Sequence, residues 1–168
     1  MDAGRQSWLQ RKALDIVVGI EVGVIGGLLM LALLMLAAPV LGQSWWTYPN
    51  LFASHYYSAP VVRYGPGLVT VSGAALQVFW AGVVGAVAGF VAPRGRNGVL
   101  FAMFWFLSCY FVIWRKYAPG IGLYGSPSLL FASFLLYGSV LRFHPKFFSR
   151  IQPPPRVVQP PPSVEPVD

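Results

Sequence analysis

From Leu14 to Leu41 the chain is an almost unbroken apolar run, and that run decides which solvent the protein folds in. A helix needs about 20 apolar residues to cross a bilayer core of roughly 30 Å. Further apolar runs follow, and the predicted spans are 14–41, 68–92, 99–116 and 127–143. The first two are long enough alone, the third needs its flanking residues, and the fourth is the shortest. Composition agrees: 56% of the 168 residues are hydrophobic and 10% are charged, where a soluble domain carries about 25% charged residues.

The expected fold class is all-α, an integral membrane four-helix bundle with a short interfacial helix between the first two spans. A membrane β-barrel shows stretches of about ten residues that alternate in polarity. These runs are apolar on every face. Helices also satisfy their backbone polar groups internally, as hydrocarbon demands. Arg5, Arg11 and Lys12 before an apolar run outline a signal peptide. A signal core is only about 7–15 residues, so the longer run here reads as an uncleaved anchor.

Charge sets the expected orientation. Of the 12 Lys and Arg residues, nine fall on one side of a four-span arrangement: Arg5, Arg11, Lys12, Arg94, Arg96, Arg142, Lys146, Arg150 and Arg156. Arg63, Arg115 and Lys116 fall on the other. The bias predicts cytoplasmic N- and C-termini in the plasma (inner) membrane. Arg115 and Lys116 dissent, and read as a snorkelling pair beside Trp114 and Tyr117. The net charge of +7 hugs helix ends, which points to the lipid bilayer and anionic lipid headgroups as partners. No nucleic-acid module is present.

The connection 42–67 is aromatic, with Trp45, Trp46, Tyr56 and Tyr57 prominent and His55 among them. Trp and Tyr favour the membrane interface. A helix is expected over residues 50–57, in or near the outer interface, closed by Pro60 and Pro66. Its functional reading is a lid or docking surface; the plainer alternative is an irregular loop over the helix ends. Residues 119–127 read as a Gly/Pro turn, with Ser126 as N-cap and Pro127 at the first helical position. Residues 1–150 form one domain. Residues 151–168 repeat Gln-Pro-Pro-Pro and read as a disordered cytoplasmic tail, with docking to an aromatic groove as the lesser alternative.

Glycines mark the expected helix contacts. Gly19, Gly23 and Gly26 share one face of the first span, and Gly82, Gly85 and Gly89 share one face of the second. Small residues let backbones approach closely in lipid, so these two faces are expected to meet. The third span is bulky, with Phe101, Phe104, Trp105, Phe106, Tyr110, Phe111 and Trp114. It reads as a lipid-facing or gap-filling helix, not a pigment or quinone site. Cys109 is the one cysteine and reads as a small packing residue.

Glu21 is the residue that asks for an explanation. A carboxylate in hydrocarbon costs roughly 2.5–3.5 kcal/mol on insertion scales. It lies opposite the glycine stripe with Val17, Val24, Ile25 and Leu28. The expected partners are Tyr137, Ser139 or Arg142 of the fourth span, as a polar tie or as a proton or ion site. No metal site is expected, because His55 and His144 stand alone, and no cofactor is expected. The catalytic signatures GxSxG and HExxH and a phosphate loop are absent from the sequence, so no enzyme is expected. The expected role is non-catalytic: a structural or accessory subunit of a larger membrane complex. The alternative is a small transporter or channel, a homo-oligomer that uses Glu21.

Overall fold

A computed structural model describes residues 3–57, 64–92, 97–117 and 119–151. Within them every regular element is helical. The first helix, α1, runs Ala3–Ala37. Pro39 supplies no N–H, so the ladder ends near it, and a short 3₁₀ turn Pro39–Leu41 follows. Gly42 closes that turn at φ 71°, a conformation glycine takes at little cost. Then come α2 (Thr47–Tyr57), α3 (Leu68–Val91) and α4 (Gly98–Ser108). A single π-helical turn, Cys109–Ile113, joins α4 to α5 (Trp114–Tyr117). The rest is α6 (Pro119–Tyr124), α7 (Pro127–Leu141) and α8 (His144–Ile151).

Among the described residues three segments are long and apolar enough to cross a membrane: Trp8–Leu41, Leu68–Val91 and Gly98–Lys116. The fourth expected span is α7, which rises only roughly 22 Å at 1.5 Å per residue. Large apolar side chains cover the outside of the long helices, including Val83, Val87, Phe104 and Val112. Such a surface suits lipid as solvent, consistent with a membrane protein.

At the centre stands α1, with α3 on one flank and α7 on the other. Helix α4 packs on the far side of α7, and α2 packs on α3. The α1–α3 seam is made of glycine. A methyl group built on Gly19 would overlap the Gly85 carbonyl, and one on Gly85 would overlap the Gly19 carbonyl. A methyl on Gly23 would come within 2.9 Å of the Gly85 Cα, and one on Gly89 within 3.1 Å of the Gly19 Cα. Backbones this close allow no side chain between them. Gly26 differs from expectation: it meets the Tyr137 ring of α7. Gly27 takes its place against Ala81 of α3, because four residues continue a helical stripe about 20° more closely than three do.

The ends of the bundle are tied. Lys12 Nζ donates to the Phe90 carbonyl at 3.1 Å, and His144 Nε2 lies 3.0 Å from the Asp15 carbonyl. The start of α1, the end of α3 and the start of α8 therefore share one end. At the other end Gln43 Nε2 donates to the Tyr124 carbonyl at 3.1 Å, and the Ser126 N–H donates to the Tyr48 hydroxyl at 3.2 Å.

Several expectations change. Helix α2 starts at Thr47, three residues earlier than expected, and its first turn is no surface structure. Tyr48, Asn50 and Leu51 are fully buried. The reason is a polar lock: Thr70 Oγ1 donates to Asn50 Oδ1 at 2.7 Å, and Asn50 Nδ2 donates to the Tyr64 carbonyl at 3.1 Å. Gly73 gives room for it, since a methyl there would overlap the Pro49 carbonyl. The Gly/Pro stretch after residue 118 contains α6, because Pro119 suits a first helical turn. Ser126 makes no capping bond and shares its hydroxyl with Ser128 at 3.0 Å. The basic stretch after Arg142 is a helix, α8. The proline-rich tail, the turn at 93–96 and Pro60 lie outside the described residues.

Candidate functional site

Two places stand out for function: the outer face of α1 around Glu21, and a cleft between α3 and α4. The first follows from helix geometry. The glycines and Val18, Val22, Met30 and Leu34 turn into the bundle. Val17, Ile20 and Leu28 are exposed, Ile20 at the edge of the α3 contact, beside Gly82. Glu21 is exposed among them. It stands six residues along α1 from Asp15, whose carbonyl meets His144, and so about 9 Å in from that end of the bundle. A carboxylate thus sits exposed on α1, inside a segment long and apolar enough to cross a membrane.

The residues expected to meet Glu21 are engaged elsewhere. The Tyr137 ring is buried against Gly26, and its hydroxyl donates to the Ala81 carbonyl of α3 at 2.6 Å. Tyr137 therefore ties α7 to α3, passing α1 on the inner side. Ser139 is exposed and donates back to the Leu135 carbonyl of its own helix at 2.9 Å. Arg142 is exposed at the end of α7. The structure brings Tyr137 into the core and leaves Glu21 on the outside.

The cleft arises because α3 and α4 barely touch, held apart by α1 and α7 behind them. Its volume is about 360 Å³. Phe52 of α2, Trp80 of α3, Trp105 of α4, Trp114 and Phe134 line it. Ring-to-ring contacts stiffen the α4 wall: Phe106 lies 5.3 Å from Phe134 and 6.1 Å from Trp114, all edge-to-face. The π turn shapes the same wall. Its extra residue per turn sends the Trp114 N–H back to the Cys109 carbonyl, and it presents both Cys109 and Ile113 to the cleft. Single π turns recur at functional sites.

Gln77 of α3 borders this apolar space, its amide enclosed. It is only 6% exposed, and neither Oε1 nor Nε2 has a hydrogen-bond partner. It stands nine residues into α3, roughly 13 Å from its start. Nothing in the sequence placed Gln77 in a cleft. A glutamine within an apolar span was the visible signal, but the separation of α3 from α4 was not.

The aromatic segment splits. Trp45 is exposed and meets Trp46 edge-to-face at 5.5 Å. Tyr56 and Tyr57 are exposed, and the Tyr57 and Ser72 hydroxyls lie 3.3 Å apart. At the opposite end α8 is amphipathic. Phe147 and Phe148 pack against the core, while Lys146 and Arg150 project over the Phe143 and Phe147 rings at 5.3 and 5.4 Å. No group of His, Cys, Asp and Glu that could hold a metal ion occurs among the described residues. Compared with protein-family models, with curated proteins and with solved structures, the chain matches none.

Proposed function

We propose that the chain is a small multi-pass membrane protein with a non-catalytic accessory role in a larger membrane assembly, docked through the Glu21 face of α1. The supporting observation is the exposed position of Glu21 within a segment long and apolar enough to cross a membrane, among exposed Val17, Ile20 and Leu28. Against lipid such a carboxylate is costly. Against a partner helix it gains a hydrogen-bonding or basic group. In this reading α7 is the fourth crossing of a four-helix bundle and α2 seals its outer end. The termini face the cytoplasm from the plasma (inner) membrane, and the basic face of α8 meets anionic headgroups.

A second reading is a homo-oligomeric transporter or channel. The same exposure of Glu21 favours it, because several copies could turn their carboxylates toward a shared path. One experiment separates the two. A photoreactive benzophenone amino acid replaces Leu28, and the membranes are irradiated before extraction. The accessory reading predicts one discrete adduct whose mass is not a multiple of 18.4 kDa, weakened by Glu21→Gln. An adduct of chain with chain supports the oligomer instead. Labelling of lipid alone refutes both.

A further inference from the structure

We propose that the cleft between α3 and α4 is a binding site for a neutral, flat, bilayer-soluble ring compound that carries a carbonyl group. The inference rests on the cleft alone and is independent of the Glu21 face.

Four observations converge on that chemistry. The size is right: about 360 Å³ falls within the range of roughly 300–1,000 Å³ typical of small-molecule pockets. The lining disfavours charge. Among the described residues that form the cleft there is no lysine, arginine, aspartate or glutamate, so a charged ligand would find no opposite charge among them. Trp80, Trp105, Trp114 and Phe134 offer ring faces and edges from opposite walls, which suits a planar partner. And among the described residues that line the cleft, Gln77 carries a buried amide with no hydrogen-bond partner.

Gln77 narrows the ligand further. A buried amide without partners is costly, and in hydrocarbon no water is at hand to relieve it. Its Nε2 can donate to a ligand carbonyl, and its Oε1 can accept from a hydroxyl. An acyl chain satisfies neither atom. Tyr137 also lines the cleft, but its proton goes to the Ala81 carbonyl. Gln77 is therefore the group that distinguishes a carbonyl-bearing ring from plain hydrocarbon.

The cleft also has a way in. Trp80 and Tyr56 line it and remain exposed, so its mouth lies at the outer surface of the bundle. A ligand dissolved in the bilayer would enter sideways between α3 and α4. The π turn of Cys109–Ile113 forms part of the wall it would meet.

The test compares tetramethylbenzoquinone with tetramethylbenzene, flat methylated six-membered rings of similar size in which two carbonyl groups of the quinone stand where the hydrocarbon has two aromatic C–H groups. The fully substituted quinone ring has no open position for the Cys109 thiol to attack. The purified full chain in lipid discs is titrated with the quinone while tryptophan fluorescence is followed. Protection of Cys109 from a small thiol reagent gives a second readout that works for both compounds. The expected result is saturable quenching in the wild type, with protection by the quinone at concentrations where tetramethylbenzene gives none. Gln77→Leu, which replaces an unpartnered amide by an apolar side chain of similar size, should weaken quinone binding about tenfold. It should leave binding of tetramethylbenzene unchanged. Quenching that rises linearly without saturation would overturn the proposal, because it reports bulk partitioning. Equal protection by both compounds, or equal quinone affinity in Gln77→Leu, would overturn it as well. If Gln77→Leu does not fold, the comparison of the two compounds on the wild type decides alone.

Discussion

The lock between α2 and α3 makes a sharp stability prediction. Asn50 is fully buried, accepts from Thr70 at 2.7 Å and donates to the Tyr64 carbonyl at 3.1 Å. Thr70 also accepts from the Gly67 N–H at 3.2 Å. Thr70→Val keeps the shape and removes the hydroxyl. The Gly67 N–H is at an exposed residue and can turn to water, so the main loss is the bond to Asn50, about 1–2 kcal/mol. Asn50→Ala loses both bonds and leaves a small cavity, at a cost of about 2–4 kcal/mol. The double variant should cost less than the sum by about 1 kcal/mol, since the shared bond is lost only once. Reversible unfolding in mixed detergent, followed by tryptophan fluorescence, measures all three. Additive losses, with coupling within about 0.3 kcal/mol of zero, would refute the lock. Its loss would leave α2 free to lift from α3.

Gly85→Leu should force α1 and α3 apart, at a cost of about 1–3 kcal/mol or more. It should therefore lower the yield of folded protein in mild detergent, while Val87→Leu on the exposed side of α3 should not. Tyr137→Phe keeps the ring against Gly26 and removes the bond to Ala81. A loss of about 0.6–1.7 kcal/mol is expected in the same unfolding assay, the range for interhelical hydrogen bonds in membranes. Ser139→Ala, whose exposed hydroxyl serves only its own helix, should change stability by less than about 0.5 kcal/mol.

Much of the helical plan was legible because lipid simplifies the code. Long runs such as 68–92 leave a backbone in hydrocarbon one option. The glycine stripes also pointed to a seam, because close approach needs small residues wherever helices pack in lipid. Less legible was anything set by three-dimensional placement. Gly26 and Gly27 are adjacent in sequence, yet one meets α7 and the other α3. The stretch after Thr47 had interfacial composition, but Asn50 found Thr70, and a satisfied polar pair can be buried where a lone one cannot. Basic residues drew attention to orientation in the stretch 142–150, and hid the apolar stripe of Phe147 and Phe148 that makes α8 a helix against the core. Bulk along the third span suggested gap filling. In the structure that bulk walls a gap, because α4 packs on α7 and not on α3.

Glu21 carries the central claim, that the outer face of α1 is covered by protein and not by lipid. The most direct measurement is the oxygen accessibility of a spin label attached at Leu28, in a Cys109→Ala background and in lipid discs drawn directly from the membrane. A label at Val83, on the exposed side of α3, serves as the lipid-facing reference. The account predicts low accessibility at Leu28, rising toward the Val83 value when Glu21 is replaced by Gln. Accessibility at Leu28 equal to that at Val83 in the unsubstituted background would contradict it.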